Sequence, residues 1–280
     1  TTTYFPSDRL TIRMDWVRAA WNPIYSQLVP QLLILRDSYD PSSAEYALAE
    51  IMWVWAFHRL TDYWGPVPYF SVGIVGTSVP YDPQDKIYDD MLKRLAVAIT
   101  TLNGKTTEKP YGSFDLFFKG DVTKWIKFAN TLRLRLAVRI SAVDAARAKT
   151  EGEAAVAGGV LTTSPADDVL IPRSLKGTDV NGLSRMDWNE FRMSAAMESV
   201  LKGYQDPRRT IYFNPAKTTG DYEGLRNGLP PGEMALALNK PDANSRHGNR
   251  WSSTTGLETP SNVMATAEAW FLRAEGVLFG

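Results

Sequence analysis

One stretch constrains this chain more than any other. Behind Asp121, apolar side chains recur every three or four residues at Trp125, Phe128, Leu132, Leu136, Ile140 and Val143. That spacing draws one apolar stripe along a helix, and the aspartate before it supplies an acceptor for the first free N–H groups. Lys127, Arg135 and Arg139 fall elsewhere on the same helix, within a basic run over 119–149. The expectation is an amphipathic helix that packs by one face and offers a basic face, carrying Arg135 and Arg139, to a partner.

Its neighbours read the same way. Ser42-x-x-Glu45 after Asp40-Pro41 has the form of a capping box and opens a helix to about Leu60. Gly65-Pro66-Val67-Pro68 ends it, because proline cannot donate to the ladder and biases the residue before it away from the α region. Asp82-Pro83 reads as an N-cap with proline at the first helical position, ahead of a stripe at Ile87, Met91, Leu95, Ile99 and Leu102. Asn103-Gly104 closes that helix. Residues 7–37 carry helical apolar content, with breaks or kinks expected at Pro23 and Pro30. A late helix is expected over 265–279, with Ala267, Trp270, Phe271, Ala274 and Leu278 at helical spacing. Its one-sided apolar face calls for a further packing partner, so the chain reads as a fragment.

Paired helices joined by Pro/Gly turns indicate an all-α fold, a degenerate helix-hairpin array of the tetratricopeptide kind. We expect one domain over 1–280, divided into a scaffold (1–150), an irregular segment with one short helix near 188–201 (151–260) and a late scaffold helix (261–280). The irregular segment holds most of the Gly, Pro, Asn and Asp. Long irregular segments in folded domains are often functional, so the ligand is expected there.

Composition removes several classes of function. With 31 Lys+Arg against 31 Asp+Glu, the chain lacks the basic excess that nucleic-acid binding exploits. It has no cysteine and two histidines, which excludes disulfides, most zinc sites and thiol chemistry, so neither a metal nor a cofactor is expected. The longest apolar run, 51–57, is far shorter than a membrane-spanning helix. Asn103-Gly104-Lys105-Thr106 resembles the tail of a phosphate-binding loop, but Ile99 stands where the first glycine is needed. No nucleophile elbow, dinucleotide fingerprint or zinc-protease motif is present, and no catalytic residue is assigned. Asp89-Asp90 and Asp167-Asp168 read as solvated or capping carboxylates. His58 reads as a hydrogen-bonded packing residue, whereas His247 lies in loop composition where a ligand could meet it.

Nine tryptophans are the compositional surplus. Trp16, Trp21, Trp53, Trp55, Trp125 and Trp270 lie in helical stretches and are assigned to packing. Trp64, Trp188 and Trp251 lie in or beside turns, where an indole face suits the C–H face of a sugar ring. The candidate ligand set is Tyr63, Trp64, Tyr69, Trp188, Tyr222, Arg250 and Trp251, with Asn249 beside it.

Five segments, in order, resemble the SusD/RagB family of outer-membrane nutrient-binding lipoproteins, in its second SusD-like subgroup. They are 49–69, ending in Arg59-Leu60-Thr61-Asp62-Tyr63-Trp64-Gly65-Pro66-Val67-Pro68-Tyr69; 87–92; 120–137; Asp206-Pro207-Arg208 with Ile211-Tyr212-Phe213 and Tyr222-Glu223-Gly224-Leu225; and 263–275. The resemblance implies a tetratricopeptide-like scaffold with the ligand face on irregular segments. It also implies a lipid-anchored, surface-exposed protein of the outer membrane, without enzymatic activity. Such a protein binds oligosaccharide, or peptide in some members, and delivers it to a TonB-dependent transporter of the SusC type. The family's lipidated cysteine and signal peptide are not in this sequence. A glycoside hydrolase on a helical scaffold is the competing reading, and would need a raised-pKa carboxylic acid beside a second carboxylate.

Overall fold

The computed structural model describes residues 12, 14–74, 76, 78–177, 179–185 and 191–279. The N-terminal apolar stretch does not break at its prolines. Helix α1 (Met14–Pro23) passes through a π-helical turn (Ile24–Leu28) into α2 (Val29–Ser38). Val29 N–H bonds the Ile24 carbonyl, so the wider π ring carries the chain past Pro23. Pro30 takes the second position of α2, directly after the widened π turn.

Helix α3 (Ala44–Trp64) starts at Ser43, one residue later than the capping box suggests. Ser43 Oγ accepts from Tyr46 N–H at 3.1 Å, while Ser42 is held by Asp40 through its N–H (2.8 Å) and hydroxyl (2.6 Å). The helix runs a turn beyond Leu60 and stops at Gly65, whose φ of +70° suits glycine and whose N–H donates to the Thr61 carbonyl at 2.7 Å. Helix α4 (Gln84–Asn103) also starts a residue late. Pro83 takes the cap position because the Asp82 carboxylate is occupied elsewhere, accepting from the Tyr69 and Phe70 N–H groups at 2.8 Å each. Helix α5 (Val122–Ile140) is capped by Asp121 as its sequence requires.

Helix α6 (Ala145–Ala157), capped by Asp144, crosses the expected scaffold limit at 150. Its small residues Ala148, Gly152 and Ala155 let it lie close against α5, a run too alanine-rich to show an apolar period. Strand β1 (Val169–Ile171), short helices α7 (Gly182–Arg185), α8 (Ala195–Gly203), α9 (Arg209–Tyr212) and α10 (Pro231–Met234), strand β2 (Ser261–Met264) and helix α11 (Thr266–Leu278) complete the order. The two strands pair with each other.

The single domain expected from sequence resolves into two compact units. One is Trp16–Leu170 with Asn262–Gly280, and the other is Thr1–Asp15 with Ile171–Ser261. In the first, α2 to α6 each pack on the next and α11 returns onto α5 and α6, a tetratricopeptide-like array. Its core carries two aromatic clusters. Phe57 packs on Trp53 and Tyr69 at 4.7 and 4.9 Å, and Phe117, Phe118 and Phe128 surround Trp125. Asp115, buried beneath the second cluster, accepts from Trp125 Nε1 at 2.8 Å and from the Phe117 and Gly120 N–H groups at 2.9 Å each. Trp53 and Trp125 are buried, and Trp21 and Trp55 pack half-buried, as assigned. Trp16 and Trp270 are not core residues: they are 37% and 51% exposed, and Trp270 lies under Arg273 (4.4 Å) with its Nε1 donating to the Thr162 carbonyl at 3.2 Å.

The basic face of α5 is also corrected. Because α5 is central, its cations meet acids of neighbouring segments: Lys127 pairs with Asp167 (2.9 Å), Arg133 with Glu151 (2.6 Å) and Arg139 with Asp62 (3.2 Å). Arg135 binds both oxygens of Glu268 on α11, at 2.6 and 2.8 Å, and reaches His58 Nε2 at 3.0 Å. His58 Nδ1 lies 3.1 Å from the Val54 carbonyl. A carbonyl only accepts, so Nδ1 carries the proton and Nε2 is left as the acceptor for Arg135. Burial first, then the Arg135 charge, pushes the His58 pKa down to about 3.

This fixes a pH dependence. Between pH 6.5 and about 3 the unfolded chain takes up a proton at His58 that the native state refuses, so this stability is complete above pH 6.5 and drains as pH falls towards 3. Urea unfolding of His58→Gln should show a shallower loss between pH 6 and 5 than the parent, by about 1.4 kcal/mol per pH unit. Parallel pH profiles would contradict the assignment.

Candidate functional site

Within Ile171–Ser261, backbone pairing assembles a cleft. Phe213 and His247 form an antiparallel bridge, flanked by Asn214 N–H to the Arg246 carbonyl (2.8 Å) and Gly248 N–H to the Tyr212 carbonyl (2.7 Å). Gly248 permits this approach, since a Cβ there would collide with the Ile211 carbonyl. Asn214 Nδ2 fastens the pair further through the His247 carbonyl (3.1 Å) and Asn249 Oδ1 (3.0 Å). The chain then makes a 3-10 turn over Asn249–Trp251, and the Thr255 and Thr259 hydroxyls hold the Asn249 and Arg250 carbonyls at 2.6 Å each. Trp251 is thereby fixed with its ring 6.0 Å from that of Tyr212, inclined at 57°.

A second set of backbone bonds holds the segment that leads into α8. Met193 N–H bonds the Ser245 carbonyl (2.8 Å) and Leu225 N–H bonds the Met193 carbonyl (2.7 Å), while Ser194 caps α8 through Met197 N–H (3.1 Å). The resulting cleft encloses about 340 Å3 and is lined by Leu183, Phe191, Arg192, Met197, Tyr212, Phe213, His247 and Trp251. Four aromatic rings around two nitrogen-bearing side chains can stack on flat apolar faces and donate hydrogen bonds to the groups at their edges. Arg192 is itself positioned, donating from Nε to the Pro241 carbonyl and from Nη1 to the Phe191 carbonyl, both at 2.8 Å.

The seven residues marked from sequence do not form one site. Trp251 lines the cleft, and Arg250 stacks beside it with its guanidinium 5.7 Å from the indole centre. Tyr222 lies under Arg209 at 4.9 Å and is not among the lining residues. Trp188 falls outside the described residues. Tyr63 and Trp64 belong to the helical unit, where Trp64 packs edge-on against Trp21 (5.4 Å) and Tyr63 is 70% exposed. Tyr81 lies alongside Trp21 at 6.1 Å, so this corner carries an aromatic patch of its own. Tyr69 is a correction. It is 1% exposed, wedged against Phe57 and Trp53, and its hydroxyl donates to Asp90 at 2.7 Å. Burial pushes its pKa far up, so its polar tip is a neutral core donor.

Sequence reasoning left Phe191, Arg192, Tyr212, Phe213, Leu183 and Met197 out of the site. Tyr212-Phe213, directly after the Asp206-Pro207-Arg208 turn in the loop-rich segment, was the available signal. His247, singled out as the histidine in loop composition that a ligand could meet, does line the cleft. A larger cavity of about 690 Å3 lies in the helical unit between α5, α6 and α11. Its walls are mainly Leu, Ala and Val, with Ser141, Lys149, Glu153 and Arg273 among them, and it follows the seam between these helices. Among the described residues, no cluster of three or more His, Asp or Glu could hold a metal ion, and no helix is long and apolar enough to cross a membrane.

The chain thus consists of a tetratricopeptide-like helical unit and an irregular unit that contains an aromatic cleft. The chain belongs to the SusD/RagB family, whose model, SusD and RagB outer membrane lipoprotein, matches residues 5–280. Family members are outer-membrane lipoproteins and are in general binding proteins without catalytic activity. Among solved structures, the chain is similar to a SusD-like protein from Bacteroides thetaiotaomicron, with 32% identity over 97% of this chain and 56% of that one (TM-score 0.80). It is also similar to a chitin-binding SusD homologue from Flavobacterium johnsoniae, with 33% identity over 92% and 53% (TM-score 0.79). A further chitin-binding protein shares 30% identity over 97% and 60% (TM-score 0.82). The chain therefore spans slightly more than half the length of these relatives. No curated protein matches it.

The separation of Tyr69 from the cleft yields a direct expectation. Tyr69→Phe removes one buried hydrogen bond to a carboxylate and should lower unfolding stability by about 1–3 kcal/mol, with oligosaccharide affinity within twofold of the parent. A tenfold loss of affinity at unchanged stability would return Tyr69 to the site.

Proposed function

We propose that this chain provides the ligand cleft of a non-enzymatic glycan-binding protein of the outer membrane, which delivers oligosaccharide to a TonB-dependent transporter of the SusC type. The observation that carries the reading is the convergence of Phe191, Tyr212, Phe213 and Trp251 on one cleft with Arg192 and His247. Aromatic faces bury the C–H faces of pyranose rings, and the donors orient hydroxyl or carbonyl oxygens at the ring edge. Binding of this kind needs no proton transfer. Family membership supports the location and the mode of action, and the two chitin-binding relatives make chito-oligosaccharides the first ligands to try.

The helical unit has a different role in this reading. The rings of Trp53, Phe57, Tyr69, Trp125 and Phe128 are spent on packing, and Lys127, Arg133, Arg135 and Arg139 of α5 are engaged in ion pairs. Transporter contact through Arg135 is therefore not part of the proposal.

Calorimetric titration with chitotetraose tests the assignment. Trp251→Ala removes a stacking face and should weaken binding at least tenfold, equivalent to about 1.4 kcal/mol, whereas Trp64→Ala should change it less than twofold. The reverse pattern would move the site to the helical unit. Loss in neither variant would leave the cleft without a ligand role.

A further inference from the structure

Two of the residues that line the cleft come from segments far apart in the chain. Leu183 belongs to α7, and Trp251 to the 3-10 turn over Asn249–Trp251. A stacking site depends on how closely such residues are held, because a gap of about 0.5–1 Å forfeits a quarter to a half of a dispersion contact.

Asn181 joins the two segments. It is buried, it is not among the lining residues, and it uses both ends of its amide. At one end Oδ1 accepts from the Leu183 and Ser184 N–H groups, at 3.0 and 3.2 Å, and so caps the first turn of α7. At the other end Nδ2 donates to the Thr259 carbonyl at 2.8 Å, while the Asn181 backbone N–H donates to the Leu257 carbonyl at 2.7 Å. Thr259 carries the constraint onward. Its hydroxyl donates to the Arg250 carbonyl at 2.6 Å, at the peptide bond that leads into Trp251. The path from Leu183 to Trp251 is therefore one side-chain amide, one threonine and one peptide group.

The amide is what makes this possible, since it presents an acceptor and a donor in fixed opposition. A serine at this position keeps a short acceptor for the α7 cap but has no arm that reaches Thr259. An aspartate turns a second acceptor towards the Thr259 carbonyl, and two acceptors repel.

We infer that Asn181 is a positioning residue of the cleft, which sets ligand affinity by holding Trp251 in place relative to Leu183 through Thr259. This inference rests on the proposal that the cleft is the glycan site.

Calorimetric titration of the whole chain with chitotetraose tests it, and the fitted stoichiometry separates weaker binding from a smaller folded fraction. Asn181→Ser should weaken binding about fivefold at unchanged stoichiometry, the scale on which one hydrogen bond counts. Thr259→Val leaves the α7 cap intact, removes the next hydroxyl along the path and should weaken binding about threefold. In a Trp251→Ala background each of these substitutions should change affinity by less than about twofold, because the residue they act through is gone. A general loss of stability would not spare that background. Thr259→Val keeps the test decisive where Asn181→Ser lowers the folded fraction. Parent-like affinity in both variants, or an undiminished effect without Trp251, would overturn the positioning role and leave the glycan site standing. Failure of the parent chain to bind chitotetraose would overturn the glycan site, and this role with it.

Discussion

The bidentate pair between Arg135 and Glu268 closes the helical unit. The two residues are 133 positions apart, and the whole Ile171–Ser261 unit is looped out between them. Entropy opposes bringing such distant segments together, though the cost grows only slowly with length. A charge-assisted, two-point contact on a mostly buried arginine, with His58 Nε2 as a further acceptor, offsets part of it. Nearby contacts act in the same sense. Asp168 accepts from Thr266 N–H at 2.7 Å, and β1 pairs with β2, so the points where the chain leaves and re-enters the helices are fastened together. The irregular segment is a loop with clamped ends, free to specialise between them.

That arrangement explains why so few aromatic residues were available for a ligand. The helices must pack in a closed array, and large rings fill the space between them most effectively. Glu50 shows how far this is carried. Nearly buried on α3, it pairs with Arg36 at 2.7 Å and with Arg94, and both guanidinium groups lie over the Trp53 ring, at 4.9 and 5.5 Å. Removing one partner of such a network would strand the other charges in low dielectric, so it holds α2, α3 and α4 in one arrangement.

The long helices were legible because their periodicity and breakers are local properties. Where the sequence reading slipped, a longer-range competitor had claimed the residue. Ser42 was drawn to Asp40, and Asp82 was taken by the Tyr69 and Phe70 amides, so each cap moved by one position. The basic stripe of α5 read as a face offered to a partner because its acidic partners within the chain, Asp62, Glu151, Asp167 and Glu268, lie outside that helix. The cleft was half-legible for a similar reason. Trp251, His247 and Arg250 announced themselves by sitting in loop composition, but their pairing with Tyr212 and Phe213 depends on the backbone bridge at Phe213 and His247, which no periodicity reports. Tyr69 was misplaced because a Pro-rich turn resembles a surface loop even when its ring points into the core.

The central claim is a division of labour: the helical unit packs, and the cleft of the irregular unit binds. Hydrogen–deuterium exchange with and without saturating chitotetraose tests it most directly. The account predicts new protection at 191–197, 211–214 and 246–251, with 62–69 unchanged. Protection at 62–69 with none at 246–251 would contradict it.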